Sequence, residues 1–270
     1  MISNYCLCQQ KKPVLFIKYI EYKNEIVFKD YEGIIIGGCQ NCGLLKTVVK
    51  KNFYPEKSRD IFYEENRRLF EGLFKPVVDK VTKYKKTGRL LDIGCSSGIL
   101  LELFKQKGFD VYGIEPNKQA YIAASKKFQG KIFNGFLSEF IKNSKKKFDI
   151  VVYNHVLEHI DDVNEELELA HSIISKNGLL VIGVPNVDNL IFYLRKKYWE
   201  SLMPREHVWH FSRKDICNLL KKRGFKVHDT SFSDDLRPNY PLLKRIYFRF
   251  LSLLNKFIGT GESVLIIAST

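Results

Sequence analysis

Two carboxylates flank a turn of small residues. Asp92 opens the turn in R-L-L-D-I-G-C-S-S-G (Arg89–Gly98), and Glu115 follows in D-V-Y-G-I-E-P-N (Asp110–Asn117). Gly94 and Gly98, with Cys95 and Ser96 between them, allow a ligand to approach bare backbone. The spacing is D-x-G-x-x-x-G. It lacks the middle glycine of G-x-G-x-x-G, which seats a pyrophosphate on a helix start. An acid before the turn repels a pyrophosphate and attracts a cationic amino acid or a sulfonium. Glu115, with Pro116 beside it, can take both hydroxyls of a ribose. Further on, F-D-I-V-V-Y-N-H-V-L-E-H-I places Asn154, His155 and His159 close together, and E-H-V-W-H-F-S adds His207 and His210. Histidine titrates near neutral pH, so His155, His207 and His159 are the candidate general bases. A third group is metal-like: Cys6-x-Cys8 and Cys39-x-x-Cys42 could hold a tetrahedral ion as four thiolates.

These groups need elements to position them. Leu90, Leu91 and Ile93 read as a short buried strand, and Ile99–Lys105 as a helix stopped near Gly108. Strand, glycine turn and helix begin a βαβ unit, whose helix start offers free N–H groups and a positive dipole end. The alternation continues. Asn117–Phe128 reads as a helix, Lys131–Gly135 as a strand and Phe148–Tyr153 as a buried parallel strand. Asp162–Lys176 reads as an amphipathic helix stopped by Asn177-Gly178, and Gly178–Asn186 as a strand. Asn154 and His155 then fall at a strand's carboxyl end, where open α/β sheets bind ligands. Val187–Phe211 is too long for an ordinary connection and holds Trp199, Arg205, Glu206, His207, Trp209 and His210, so it reads as a substrate lid. Ser212-x-x-Asp215 is a capping box for the helix after it. Phe225–Phe232 and Ser263–Ser269 read as the last two strands, an antiparallel pair. Between them Leu242, Leu243, Ile246, Tyr247, Phe250, Leu254 and Phe257 recur at helical spacing, with Lys244, Arg245, Arg249 and Lys256 largely off that face. The readings open for this helix are packing on the sheet, a dimer face, or contact with an anionic membrane.

The 270 residues suffice for one large domain and a small appendage. Hydrophobic residues at 45% and charged residues at 27% suit a soluble globular chain, and the apolar runs fall short of a membrane span. The start, M-I-S-N-Y-C, lacks the zones of a signal peptide, so the expectation is cytoplasmic. Six cysteines in a reducing compartment argue for thiols or a metal rather than disulfides. A net charge of +14 suits nucleic acid, an anionic membrane or a phosphorylated substrate, although much of the excess is lysine in short clusters beside predicted strands, as at solvated ends.

Asp92, Gly94, Gly98 and Glu115 together resemble motif I and the acidic position that follows it in class I S-adenosylmethionine-dependent methyltransferases. The resemblance implies a doubly wound, seven-stranded Rossmann-like sheet over 87–270. In it, Asp92, Gly94, Cys95, Ser96 and Gly98 hold the methionine end of the cofactor and Glu115 the ribose. Pro116, Phe136, Asn154 and His155 line the rest, with Phe136 toward adenine. F-D-I-V-x-x-x-x-V-L-E-H-I is similar to motif IV of small-molecule methyltransferases. It is not N-P-P-Y or D-P-P-Y, and it lacks the Pro-Cys of carbon-5 cytosine methylation. Nucleic acid is therefore disfavoured as the acceptor, with an RNA methyltransferase or a non-catalytic cofactor-binding module as the rival. The expected acceptor is a small molecule, anionic or sugar-linked, methylated on oxygen. Residues 1–50, with Cys6, Cys8, Cys39 and Cys42-Gly43-Leu44, resemble the N-terminal zinc ribbon of sugar and polyketide methyltransferases. Residues 51–86 read as a helical connector or lid, with Tyr54 and Tyr63 as conceivable pocket residues.

Overall fold

A computed structural model describes residues 2–23, 31–49, 64–234, 237 and 239–270. Tyr54 and Tyr63 lie outside the described residues. The chain builds two sheets. The larger follows the order β11-β12-β9-β8-β5-β6-β7, with β5 Arg89–Ile93, β6 Asp110–Ile114, β7 Ile132–Phe133, β8 Phe148–Asn154, β9 Ile174–Pro185, β11 Lys226–Ser233 and β12 Ser263–Ser269. β5 to β9 run parallel, while β12 is antiparallel to both β9 and β11. Helices cover both faces, and this explains the continuous apolar runs of the central strands. Leu90, Leu91, Ile150, Val151, Val152 and Tyr153 are all buried.

The helices are α1 Arg67–Tyr84, α2 Ile99–Gln106, α3 Lys118–Lys127, α4 Leu137–Asn143, α5 Val163–Ile173, α6 Leu190–Arg195, α7 Arg213–Lys222 and α8 Leu242–Ile258. Their starts follow local chemistry. The Asn117 side chain caps α3, Asp162 caps α5, and Ser212 with Asp215 forms the expected capping box on α7. The strand expected over Lys131–Gly135 shortens to two residues, because Gly135 turns the chain at φ 149. Helix α5 stops at Ile173 rather than Lys176: Ile174 already pairs with Phe148, so sheet register takes over those residues.

The smaller sheet is antiparallel, in the order β1-β2-β3-β4-β10, with β1 Ile2–Cys6, β2 Gln9–Glu21, β3 Ile35–Cys39 and β4 Leu45–Val49. Its last strand, β10 Trp209–His210, comes from the long insertion. The two sheets share a core: Leu7, Val14, Phe16 and Leu44 pack in one cluster with Val208, Trp209, Phe211 and Leu157. The Val187–Phe211 insertion is a packed buttress. It buries Trp199, Leu202, Trp209 and Phe211, and the Trp209 indole N–H donates to the Asp161 carbonyl at 3.2 Å. Helix α8 departs from packing on the sheet. Phe248, Leu251 and Asn255 are its buried residues, Leu254 is half-buried beside them, and the rest of its broad apolar face is open.

Candidate active site

The β5–α2 turn is built of residues held where side chains rarely go. Gly94 has φ 70 and Gly98 φ 86, and Ser96 sits at φ 47. A Cβ on Gly98 would lie 2.7 Å from the Phe128 ring, and one on Gly94 2.7 Å from Val156. Gly98→Ala is therefore expected to lower the melting temperature by several degrees, since strain and overpacking together cost about 1–3 kcal/mol. A melting curve unchanged from wild type would remove that reading of the turn.

Below the turn lies Asp92, 3% exposed. Burial, and secondarily the charge of Glu115, raises its carboxyl well above the usual range. Such a site calls for a cationic partner. Glu115 is also buried, and its two oxygens accept from the backbone N–H of Ser96 and of Asn117, each at 2.8 Å. The Ser96 bond ties the turn to the next strand. A carboxylate has further lone pairs for a diol. Cys95 contributes backbone only, because its thiol is buried against Gly113. Phe136 is 63% exposed at the start of α4, and Asn134 beside it donates to the Glu115 carbonyl at 2.8 Å, so it lies near the ribose end. A small cleft of about 40 Å³ is lined by Asp92, Gly94, Cys95, Ser96, Asn154 and Phe74. Its shape and charge fit the methionine end of a sulfonium cofactor. Helix α1 roofs it, held to α2 by Arg67 on Glu102 and by Lys127 bridging Glu64 and Glu102.

A second, larger cavity of about 470 Å³ adjoins the first across Phe74 and Asn154, and His155, Glu158, His159 and His207 all line it. The sequence distributes these groups over two segments, and backbone bonds bring them together. His155 N–H donates to Gly183 O at 2.8 Å, and Val208 N–H to Glu158 O at 2.8 Å. Asn154 fits because residue 183 is glycine: a Cβ there would meet its amide at 2.7 Å. His155 holds φ 58, a conformation a non-glycine residue adopts under constraint, with its Nδ1 3.4 Å from Glu158. Glu158 is 1% exposed, and neither carboxylate oxygen has a hydrogen-bond partner. His159 Nδ1 donates to the Glu206 carbonyl at 3.2 Å, so the neutral ring carries its lone pair on Nε2. The His159 and His207 rings meet edge to face at 4.8 Å. The ligand atoms of Glu158, His159 and His207 lie within 4.8 Å of one another, a spacing that one divalent cation could bridge. Glu158 is the residue that sequence reasoning passed over. Its signal was present in the V-L-E-H-I turn, but burial decides its role.

His210 stands apart. It is fully buried against Thr47 Oγ1 at 2.9 Å, and burial pushes its pKa down to about 3. It is a neutral structural histidine. Thr47 also donates to the His207 carbonyl at 2.8 Å, so β4 of the small sheet fixes the segment that presents His207.

The four cysteines converge as their spacing implies. Cys6 and Cys42 sulfurs are 3.7 Å apart, as are Cys8 and Cys39, and all four lie within 4.8 Å of one another. A Zn–S bond of about 2.3 Å puts tetrahedral sulfurs roughly 3.8 Å apart. The donor set therefore fits zinc. Hydrogen bonding from Cys6 pushes the Cys42 thiol down to about 5, and Cys6 moves up in exchange.

Comparison with known proteins agrees with this geometry. A ubiquinone biosynthesis O-methyltransferase of Pelagibacter ubique is 28% identical over 176 residues, 57% of this chain and 73% of that protein. The C-methyltransferase NovU of Streptomyces niveus is 26% identical over 148 residues, which span 54% of this chain and 34% of that one. A ubiquinone biosynthesis O-methyltransferase of Rhodopseudomonas palustris is 34% identical over 130 residues, and the match spans 51% of its length. Among solved structures, a SAM-dependent methyltransferase of Archaeoglobus fulgidus superposes with a TM-score of 0.57 at 21% identity, covering 77% of this chain and 99% of that one. The magnesium protoporphyrin IX methyltransferase of Synechocystis PCC 6803, with bound S-adenosylhomocysteine, gives 0.53 at 19%, covering 80% and 90%. These two share the fold. The sequence family described as a methyltransferase domain matches residues 63–230. With motif, sheet order and cleft in agreement, the chain belongs to this family and is a class I, small-molecule-type, S-adenosylmethionine-dependent methyltransferase.

Proposed function

We propose that this enzyme methylates an oxygen of a small hydroxylated metabolite, a sugar or glycan precursor in the first instance, with His155 as the base. The observation that carries the reading is the 470 Å³ cavity, which meets the cofactor cleft at Asn154 and places His155, Glu158, His159 and His207 on its wall. Its volume is that of a small-molecule site, which favours a single ring over a polynucleotide. Relatives named as O-methyltransferases support oxygen as the acceptor atom.

Bound S-adenosylmethionine supplies an activated methyl group on a sulfonium. The chain's task is then positioning and proton transfer. Asp92 faces the cofactor's ammonium, and the Gly94–Gly98 backbone cradles the same end. Glu115 takes the ribose hydroxyls, with Pro116 and Phe136 flanking it. Asn154 stands between the two sites. His155, with its Nδ1 3.4 Å from the Glu158 carboxylate, accepts the acceptor hydroxyl's proton. His207 and His159 set the far wall and hold the acceptor against that base. The Cys6–Cys8–Cys39–Cys42 site holds structural zinc, making residues 1–50 a metal-stapled support.

His155→Asn, chosen because asparagine tolerates the left-handed backbone, is expected to lower turnover about 10²–10⁴-fold and to leave cofactor affinity intact. His207→Ala is likewise expected to reduce turnover far more than cofactor affinity. The measurements are calorimetry with S-adenosylmethionine and S-adenosylhomocysteine, followed by methyl transfer to a panel of phenolic and sugar hydroxyl acceptors. Wild-type turnover in both variants would remove the base assignment. Cofactor binding without transfer to any acceptor would favour a binding module.

A further inference from the structure

Helix α8 presents one of the most exposed apolar surfaces among the described residues. Leu242, Leu243, Ile246, Phe250, Leu253 and Phe257 all face solvent, with Leu243 81% and Phe257 88% exposed. The helix is not free to roll them inward. Its opposite face is pinned by Asn255, which is fully buried, accepts from Leu190 N–H at 2.9 Å and donates to Asp234 at 2.9 Å. Ser252 donates to the same Asp234 at 2.7 Å, and the Arg237 guanidinium lies 4.1 Å over Phe248. The exposed face is therefore a fixed feature of the fold.

Its charges select the occupant. At 100° per residue, Arg245, Arg249 and Lys256 form a stripe along one edge of the apolar face, and Lys244 stands on the other side. From Leu242 to Ile258 the helix holds four basic residues and no acid. A second copy docked through this face would set like charges against like charges, whereas an anionic surface complements both the stripe and the net charge of +14. The neighbouring α6 and the turn after it add exposed Tyr193, Leu194 and Tyr198 beside Arg195, Lys196 and Lys197. Tyrosines and lysines beside an apolar stripe are the composition of a helix lying in a lipid interface.

We propose that the outer face of α8 docks this enzyme on an anionic lipid bilayer, lying in the headgroup plane. No helix among the described residues is long and apolar enough to cross a membrane, so the contact is peripheral. Asp234, which bonds the inner face of α8, also lines the acceptor cavity. The helix proposed to dock is therefore bonded, on its inner side, to a residue of the cavity wall.

The test uses the 270-residue protein as purified, and sedimentation with phosphatidylcholine vesicles, with and without a minority of phosphatidylglycerol. Wild type is expected to bind the anionic vesicles about tenfold or more tightly than the neutral ones, and to lose that preference at high salt. Phe250→Glu combined with Leu253→Glu is expected to abolish binding. Arg249→Gln combined with Lys256→Gln is expected to weaken it about twentyfold, each charge near the surface being worth roughly fivefold. Calorimetry with S-adenosylhomocysteine should be unchanged in both variants, which shows that they fold. No binding of wild type to anionic vesicles overturns the proposal. So does light scattering that shows a wild-type dimer which the Phe250→Glu/Leu253→Glu variant converts to monomer. Vesicle binding is read without turnover, so its failure is separate from a failure of the proposed reaction.

Discussion

Asp92→Asn is expected to make the ligand-free enzyme more stable and to destroy cofactor binding. The two effects have one cause. Asp92 is buried, and burial, with the nearby charge of Glu115, raises its folded-state carboxyl well above the unfolded value near 3.8. A carboxyl whose pKa rises on folding binds its proton more tightly when folded. Stability is then highest below the unfolded pKa, and it falls as pH rises through the window up to the raised folded value. At neutral pH, above the unfolded value, the ligand-free protein bears a penalty. The amide variant removes it, for a gain on the order of 1–2 kcal/mol, and flattens the pH dependence of the melting temperature across that window. The same substitution deletes the proposed partner of the cofactor's ammonium. Loss of a buried charge-assisted hydrogen bond is worth about 1.5–3 kcal/mol, so affinity should drop roughly ten- to hundredfold. The check is a pair of melting curves across pH and one calorimetric titration. A variant less stable than wild type at neutral pH, still binding S-adenosylmethionine normally, would show that Asp92 is an ordinary structural acid.

Removal of metal from the four-cysteine site is expected to stop turnover although the site lies outside the catalytic cavity. The route is physical and short. Cys39 ends β3, which pairs with β4, and β4 pairs with β10 at Trp209↔Lys46 and His210↔Leu45. Thr47 on β4 donates to the His207 carbonyl at 2.8 Å, and Thr47 N–H donates to Val208 O at 2.9 Å. Val208 in turn is bonded to Glu158. Loss of the metal frees the β1–β2 and β3–β4 turns, and with them the strand that holds His207 against Glu158. Structural zinc supplies a large share of a small module's folding energy. Its loss, at about 3–5 kcal/mol net in a chain of this size, lowers the melting temperature by roughly 10–15 °C. One zinc per chain by elemental analysis is the expected starting point. Chelation, or Cys39→Ser, should then reduce kcat by more than tenfold, with a much smaller effect on S-adenosylhomocysteine binding, since the small cleft is lined mainly by β5, the turn after it and the start of α2. Equal loss of both would point to global unfolding. Full activity in a metal-free protein would remove the coupling.

The two predictions separate what is local from what is not. The glycine turn and its flanking acids, for which the cofactor role is proposed, were legible in the chain. Asp92, Gly94, Gly98 and Glu115 belong to consecutive β–turn–α units, and their turn geometry is dictated by residues that neighbour them in sequence. The capping boxes and buried strands were readable for the same reason: helix starts depend on three or four adjacent residues and strand burial on composition. The cysteine spacing foretold a convergence that the small sheet then carried out. The acceptor half was not legible. His155 and Glu158 meet His207 only because Val208 pairs with Glu158, a contact between distant segments. The insertion looked like a lid from its length, yet Trp209 and His210 lock it into the N-terminal sheet. Glu158 and Glu115 differ little in sequence context, and only packing left the first without a hydrogen-bond partner and gave the second two backbone N–H donors. The apolar stripe of α8 was visible as a pattern, but its direction was not. Asn255, Ser252 and Asp234 decide which side faces inward. The sequence by itself determined the Rossmann-like scaffold and the glycine turn between β5 and α2, because those rest on short-range periodicity and turn chemistry. The tertiary structure alone decided which histidines share a cavity and which apolar face stays open, because those rest on pairings between segments that no local pattern encodes.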